Sequence, residues 1–120
     1  MESISNFKLL IEYYPSNSFA TKAQFQIADI YLNDTKDYEF SINEFNKVIS
    51  NYPDAPEAKK SLFMIAYIYN NYLDAYSDAI INYELFIEKY PNDELIPSVK
   101  YELDGLAKIK SSIDTLILNN

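Results

Sequence analysis

The sequence lacks cysteine, histidine and arginine, and it has a single glycine among 120 residues. It therefore has neither the commonest general base, nor a thiol nucleophile, nor the usual cationic clamp for a developing oxyanion. It also has no glycine-rich phosphate loop, and its carboxylates alone do not make a recognisable zinc set. We expect a chain that is not an enzyme and that needs no cofactor and no metal.

The same features of composition limit the possible folds. One glycine argues against a loop-rich β-sandwich, because hairpin turns consume glycine. The hydrophobic content of 48%, with 12 tyrosines and 7 phenylalanines, is too high for a disordered chain. The absence of cysteine excludes disulfide bonds and leaves the redox compartment open. Composition therefore favours a single helical domain.

Charge limits the partners. The formal net charge is −8 and all ten basic residues are lysines, which opposes binding to nucleic acid or to anionic lipid. No apolar run approaches the roughly 20 residues that span a bilayer, and the N-terminal stretch lacks the features of a signal peptide. The acidic groups Asp34/Asp37/Glu39 and Asp93/Glu94 lack the ligand spacing of an EF-hand, so we interpret them as solvated turns. The acidity serves solubility or, alternatively, a preference for certain partners.

A repeat of 38 residues runs through the chain. Its clearest sign is the Tyr-Pro pair, which occurs at Tyr14-Pro15, Tyr52-Pro53 and Tyr90-Pro91. Apolar positions recur at the same interval in further series: Ile11, Ile49 and Ile87; Phe25, Phe63 and Tyr101; Ile27, Ile65 and Leu103. A repeat of this length is typical of solenoids, propellers or arrays.

The hydrophobic spacing inside each repeat is helical. One stripe advances by three and four positions along a single helix face: Tyr76, Ala79, Ile80, Tyr83, Phe86, Ile87 and Tyr90. A second stripe precedes it: Ala58, Leu62, Ile65, Ala66 and Tyr69. Each repeat is therefore predicted to be two antiparallel helices, the first of which carries small residues where the second approaches closely.

Tyr-Pro is predicted to end the second helix of each pair. Proline has no amide proton and disfavours helical geometry in the residue before it. The polar residues that follow suit the starts of the next helices: Ser16-Asn17-Ser18, Asp54 with Glu57 as a capping box, and Asn92-Asp93. Pro56 and Pro97 fit the first turn of a helix.

We therefore predict an all-α domain of about six helices over residues 1–120. Residues 1–15 are the second helix of an incomplete repeat, 16–53 and 54–91 are complete repeats, and 92–120 are a capping helix and tail. The predicted helices cover residues 2–14, 18–33, 37–51, 55–72, 75–89 and about 94–110. Residues 111–118 are left open between helix and extended chain, and the tail at 117–120 is expected to fray.

The helix pairs resemble the tetratricopeptide repeat. The first helix of that repeat, helix A, reads leucine-glycine-x-x-tyrosine, and the chain has Ile27-Ala28-x-x-Tyr31 and Ile65-Ala66-x-x-Tyr69. Helix B opens aspartate-tyrosine, continues alanine-isoleucine and an aromatic residue, and ends at proline. The matching stretches start at Asp37-Tyr38 and Ala75-Tyr76, with Ser41 and Ala75 as mild departures. The resemblance implies a right-handed α-solenoid of antiparallel helix pairs that acts as a non-catalytic scaffold for a peptide or protein partner.

The repeat length narrows the resemblance. The usual period is about 34 residues, and one residue added between helices A and B, with about three after each proline, gives 38. Tyr-Pro followed by a longer link is similar to a bacterial-envelope branch, which includes the outer-membrane assembly lipoproteins of the BamD type and the Tol–Pal-associated proteins of the YbgF/CpoB type. This resemblance implies a place in the periplasm or on the periplasmic face of the outer membrane, with the cytoplasm as the alternative.

The resemblance also implies a binding groove along successive A helices. Matching the family's groove positions gives candidate partner-binding residues: Lys22, Phe25, Asp29, Leu32, Asn33, Lys60, Phe63, Tyr67, Asn70, Asn71, Ser98, Tyr101 and Lys108. For the rings Phe25, Phe63 and Tyr101 a place in the core is left open. The lysine and asparagine with which some family members clamp a chaperone's C-terminal carboxylate are absent from the matching positions.

The two ends depart from the pattern. Asp104-Gly105 replaces Ala28-Asp29 and Ala66-Tyr67, so we expect the last helix to close the array without an ordinary helix B. At the other end the chain begins with helix B. We expect either a fragment of a longer multi-repeat protein or an unusual cap at Met1–Tyr14. Ile4, Phe7 and Leu10, expected to be half covered, could then support self-association.

Overall fold

The computed structural model describes residues 2–119, which form six α-helices and contain no β-strand. The helices are α1 (Glu2–Tyr13), α2 (Ser18–Asn33), α3 (Tyr38–Asn51), α4 (Pro56–Asn71), α5 (Tyr76–Lys89) and α6 (Ile96–Leu118). The predicted all-α fold is confirmed. Met1 and Asn120, to which the predicted first and last segments extend, lie outside the described residues.

The helices stack in chain order. Each packs mainly on its neighbours in sequence, and α2 also contacts α4, so that the first helices of successive pairs adjoin. The described chain is accordingly elongated, with extents of 58 × 32 × 17 Å. Contacts restricted to neighbouring units are the defining property of a solenoid.

Two hydrophobic clusters form the core, and α4 belongs to both. Ile65 and Ile68 on one side of α4 join a cluster with α2 and α3, while Leu62 and Ala66 join a cluster with α5 and α6. The largest fully buried side chains are the rings of helix B: Phe45, Tyr83 and Phe86. Burying an aromatic or large aliphatic side chain contributes about 1.5–3 kcal/mol, so these stripes hold successive pairs together.

The α2–α3 contact also buries polar groups. The Gln24 amide donates a 2.6 Å hydrogen bond to one carboxylate oxygen of Glu44, and Lys47 donates to the other oxygen at 2.9 Å. Gln24 and Glu44 are buried, and their hydrogen bonds meet the requirement that buried polar groups have partners.

The Tyr-Pro pairs end the helices as predicted. α3 and α5 stop one residue before Tyr52 and Tyr90, whose backbone angles are nearly identical and non-helical. The amide of each tyrosine still donates to the carbonyl of the last turn, to Val48 at 2.9 Å and to Phe86 at 2.8 Å. The proline that follows cannot continue this pattern because it has no amide proton.

The starts of the helices confirm some predicted caps and correct others. Asn17 caps α2, with its side chain accepting from the Phe19 amide, and proline occupies the first turns of α4 and α6. The predicted capping box of Asp54 and Glu57 is wrong, because the N-cap of α4 is Ala55 and makes no side-chain hydrogen bond. The N-cap of α6 is likewise Leu95 rather than Asn92 or Asp93.

The last helix is longer than predicted. α6 runs to Leu118, so its predicted end near residue 110 is wrong and the alternative left open for 111–118 resolves to helix. No proline follows Pro97, and Ser112 and Thr115 donate to carbonyls four residues back, so the helix meets no stop signal. The second half of α6 is exposed along residues 107–118.

The two ends of the stack differ in how they are covered. Ile4 on α1 is buried, whereas Phe7 and Leu10 are half-buried, so the expectation of half-covered residues fails for Ile4. Ala28 and Ala66 are fully buried where helix B packs on helix A, but Asp104 at the matching position of α6 is exposed. A carboxylate there keeps its hydration because no described helix covers it.

Candidate partner-binding face

The first helices of successive pairs, α2, α4 and α6, line one face of the solenoid, which we call the A face. Two depressions lie on it. A shallow one of about 220 Å³ lies between α2 and α4, and a cleft of about 570 Å³ lies between α4 and α6. Several of the predicted site residues lie in these two places or on the ridge of α4 that separates them.

The shallow depression contains three of the predicted residues. Lys22, Phe25 and Lys60 line it, together with Gln26 and Glu57, which the sequence did not single out. Phe25 is half-buried, because the edge of its ring packs on the fully buried Phe45 at a centroid distance of 5.2 Å. Its ring therefore belongs partly to the core and partly to the face.

On the ridge of α4, two predicted aromatic rings stack. The centroids of Phe63 and Tyr67 are 6.3 Å apart, and Tyr67 meets Tyr72 edge-on at 6.1 Å. Phe63 also packs edge-on against Tyr83 and Phe86 below it. Both rings are half-buried, which presents a rigid aromatic surface to an incoming segment.

Hydrogen bonds fix the orientation of two predicted amide side chains. Asn33 donates to the Asp29 carboxylate at 2.9 Å, and Asn71 donates to the Tyr67 carbonyl at 3.1 Å. Asn33 and Asn71 are exposed, which leaves the amide oxygens accessible for hydrogen bonding.

The α4–α6 cleft brings together Asn70, Asn71 and Tyr101 of the predicted set, with Lys108 at its edge. Tyr101 is 77% exposed, so the alternative of a core position is settled for this ring. The cleft also contains acidic residues that the groove prediction did not include. Glu102 accepts a 2.9 Å hydrogen bond from the Asn70 amide, which joins α4 to α6 across its floor.

Two further residues of the groove prediction fall elsewhere. Leu32 is 5% exposed and belongs to the α2–α3–α4 cluster, so its place in the groove is wrong. Ser98 is exposed near the start of α6 and lines neither depression. The helical periodicity explains the first case, because Leu32 lies one turn after Ala28 on the buried side of α2.

Burial and one ion pair shift the pKa values of three groups near α6. Burial raises the pKa of the Tyr83 hydroxyl, which is fully buried beneath Asn70 and Glu102. At the start of the cleft's second helix, Lys59 and Asp93 form an ion pair of 2.6 Å. The hydrogen bond from Lys59 lowers the pKa of Asp93, and the same bond raises the pKa of Lys59.

Within residues 2–119, no group of three or more potential metal ligands comes together. Over the same span, no helix combines the length and apolar character needed to cross a bilayer.

A face built from side chains of successive helix pairs defines the helical-repeat class of proteins, in which stacked units share a continuous surface. The family model of the tetratricopeptide repeat matches residues 22–55 and 60–93, which together exceed half of the chain. The chain belongs to the tetratricopeptide repeat family, whose repeats generally mediate protein–protein interaction as non-catalytic scaffolds. No curated protein sequence matches it.

Proposed function

We propose that the chain is a non-catalytic scaffold that binds a peptide or protein segment along the A face. The observation that carries this proposal is the continuity of the face. The α2–α4 depression, the Phe63–Tyr67 ridge and the α4–α6 cleft follow one another across three helices. An extended or helical segment can contact all three at once.

The side chains of the A face suit such a ligand. The stacked rings offer apolar area at small entropic cost, since they are already held by their neighbours. Asn33 and Asn71 offer hydrogen bonds to a backbone, and Lys22 and Lys60 offer charges at the other end. Interfaces of this kind draw affinity from a few aromatic anchors surrounded by polar contacts.

Peptide selection followed by titration calorimetry tests the proposal. We expect the purified domain to select segments from a displayed random-peptide library. The double variant Tyr67→Ala/Asn71→Ala should bind them about tenfold more weakly or worse, because it removes an anchor ring and an amide. A matched control, Ile81→Ala/Asn46→Ala, removes an exposed apolar side chain and an amide from α5 and α3. Equal weakening by both variants, or none by the first, contradicts the assignment to the A face.

Self-association is a second candidate, favoured by apolar residues at the ends of the stack. On α1 and after it, Leu9 is 50% exposed, Tyr13 68% and Tyr14 62%. If the chain is one segment of a longer array, this surface would adjoin another repeat or another copy. Light scattering at increasing concentration tests it. A monomer up to high concentration would exclude pairing through α1, whereas a dimer lost in Leu9→Ser/Tyr13→Ser would support it.

A role in a bacterial envelope assembly is proposed on resemblance. The Tyr-Pro punctuation and the 38-residue period are similar to the envelope branch of the family. Fractionation of source cells with an antibody to the domain tests this location. Recovery with the periplasm or outer membrane is expected, and recovery with the cytosol alone contradicts it.

A further inference from the structure

The contact between α4 and α6, which we call the second joint, has more polar side chains than the matching contact between α2 and α4, the first joint. At three positions in the 38-residue register, an apolar residue of the first joint becomes polar in the second: Leu32, Phe45 and Met64 correspond to Asn70, Tyr83 and Glu102. A fourth position of α4, Ala66, which packs on α5, corresponds to Asp104 of α6. Asn70, Glu102 and Asp104 line the α4–α6 cleft, and Tyr83 lies beside Asn70 and Glu102.

The difference in chemistry accompanies a difference in packing. In the first joint, Leu32, Phe45 and Ile65 belong to one closed cluster. In the second, α4 and α6 approach less closely than α2 and α4 do, and the cleft of about 570 Å³ opens between them. Tyr67 of α4 corresponds to Gly105 of α6, so the lining of the cleft lacks a large side chain at this position.

A buried hydroxyl lies under this cleft. Tyr83 is fully buried, and its hydroxyl has no hydrogen-bond partner in the described part of the chain. It lies beside Asn70 and Glu102, and the Asn70 amide nitrogen donates to Glu102. The phenylalanine at the matching position, Phe45, fills the same kind of site without a hydroxyl. Packing alone therefore does not require the Tyr83 hydroxyl, and a buried hydroxyl ordinarily has a hydrogen-bond partner.

The charge of the cleft lining indicates that its ligand is a cation. Its lining carries the carboxylates of Asp74, Glu102 and Asp104 against the single ammonium of Lys108. α4 ends here with no basic residue in its last turn, although a helix C-terminus favours a cation. In the loop after the first helix of each pair, one residue has a positive φ angle: Lys36 in the first pair and Asp74 in the second. A lysine is thus replaced by an aspartate at this position.

Resting on the proposed function, we propose that the α4–α6 cleft binds an arginine or lysine side chain of the partner segment. Glu102 and Asp104 pair with the cation, and the ring of Tyr101 lies beside it as a cation–π surface. The Asn70 amide holds Glu102 in place, and the Tyr83 hydroxyl completes the hydrogen bonding of the floor. The partner is therefore a basic segment, complementary to this acidic end of the A face.

Nuclear magnetic resonance with a minimal ligand tests this directly. N-acetylarginine amide is titrated into the isotope-labelled domain, with N-acetylcitrulline amide as the uncharged isostere. The expected result is saturable shifts at the Gly105 amide and the Asn70 side chain, with about tenfold weaker binding of the citrulline compound. Equal shifts from both compounds, or no saturable shift from arginine, would overturn the proposal.

Variants separate recognition from folding. Glu102→Gln/Asp104→Asn should weaken arginine binding about tenfold, whereas Asp34→Asn/Glu39→Gln removes the same charge from exposed sites elsewhere and should not. Tyr83→Phe should weaken binding while its melting temperature stays equal or rises. Binding unchanged in the first and third variants contradicts the proposal.

A steric variant gives an independent check. No described atom lies within 4 Å of a Cβ added at Gly105, so a Cβ at this position meets open space. Gly105→Tyr introduces the residue found at the matching position of α4, Tyr67. It should fill the cleft and abolish arginine binding. Gly105→Ala is the control that should bind arginine as the native chain does. Binding retained by Gly105→Tyr would contradict the location.

The experiments distinguish failure of the cation-binding cleft from failure of the proposed scaffold function. If selected peptides bind the A face but are not enriched in arginine or lysine, the cationic cleft is wrong and the scaffold stands. If the arginine compound binds the cleft but no peptide is ever selected, the scaffold proposal fails and the cleft stands.

Discussion

The Ser41 hydroxyl donates a 2.8 Å hydrogen bond to the carbonyl oxygen of Ala28, across the contact between α3 and α2. Both residues are fully buried. The family pattern has alanine at this position of helix B, as Ala79 shows in the next pair. The hydrogen bond explains the departure, because a buried hydroxyl is tolerated where an acceptor is within reach.

Replacing Ser41 by alanine should therefore destabilise the fold slightly. Ser41→Ala removes a satisfied hydrogen bond, which costs about 1 kcal/mol. Urea denaturation of the variant measures the change in the free energy of unfolding. Ser50→Ala, at an exposed position of the same helix, is the control and should change it by less. An unchanged Ser41→Ala would show that the bond contributes nothing to stability.

At Ser61 we expect the opposite result, a gain in the free energy of unfolding when serine is replaced by alanine. Its hydroxyl is fully buried and has no hydrogen-bond partner among the described residues, and the matching residue in the first pair is Ala23. Ser61→Ala removes an unsatisfied polar group and adds helix propensity, so we expect a gain of about 1 kcal/mol. The same denaturation experiment measures it, and a loss equal to that of Ser41→Ala would refute the interpretation.

The uncapped start of α4 offers a third test. Ala55 and Asn17 occupy the N-caps of α4 and α2 in the same register with nearly identical backbone angles, but only Asn17 accepts an amide hydrogen. Ala55→Asn should stabilise the domain by about 1 kcal/mol, and Asn17→Ala should cost a similar amount. Thermal melting of both variants measures the two changes. Shifts of the same sign would contradict this account of the caps.

Acid should loosen the start of α6 through the ion pair. The hydrogen bond from Lys59 and that from the Leu95 amide lower the pKa of Asp93 below its ordinary value of 3.8. The pair therefore contributes stability that is complete above pH 3.8 and is lost as the pH falls through the lowered pKa. The pKa of Lys59 is raised from 10.5, so its contribution to stability is complete below pH 10.5 and is lost as the pH rises through the raised pKa.

Melting temperature as a function of pH measures this contribution. Asp93→Asn should lower stability at pH 6, and the difference from the native chain should shrink between pH 4 and pH 2 (about two units around the carboxyl titration). Asp54→Asn, at an exposed position, should show no such convergence. A constant difference for Asp93→Asn across this range would exclude the ionised pair as the cause.

The sequence was sufficient to predict most of the helices, because proline and the three- and four-residue spacing act locally. Tyr52-Pro53 ends α3 by the chemistry of two adjacent residues, and Ile65 and Ala66 lie on the buried side that their spacing predicts. The end of α6 was not predictable in the same way. Nothing in its sequence stops it, so its length depends on the balance of weak propensities.

The candidate site was only partly predictable. Matching to the family predicted Tyr67, Asn70 and Tyr101 as site residues, but it did not include the carboxylates of Glu102 and Asp104. The comparison of one repeat with the next shows both, since Glu102 and Asp104 replace Met64 and Ala66, but for Asp104 we interpreted that change only as a sign that the last helix closes the array. Their meeting with Tyr83 from another helix depends on the stacking of three helices.

The most direct test of the account is to map where a selected peptide lies on the domain. Amide chemical shifts of the isotope-labelled domain are followed as the peptide is added. We expect the perturbed amides to fall on α2, α4 and α6, with the largest changes near Tyr67, Asn71 and Gly105. Perturbations confined to α3 and α5, or to the outward side of α1, would contradict the central claim that the A face binds the partner.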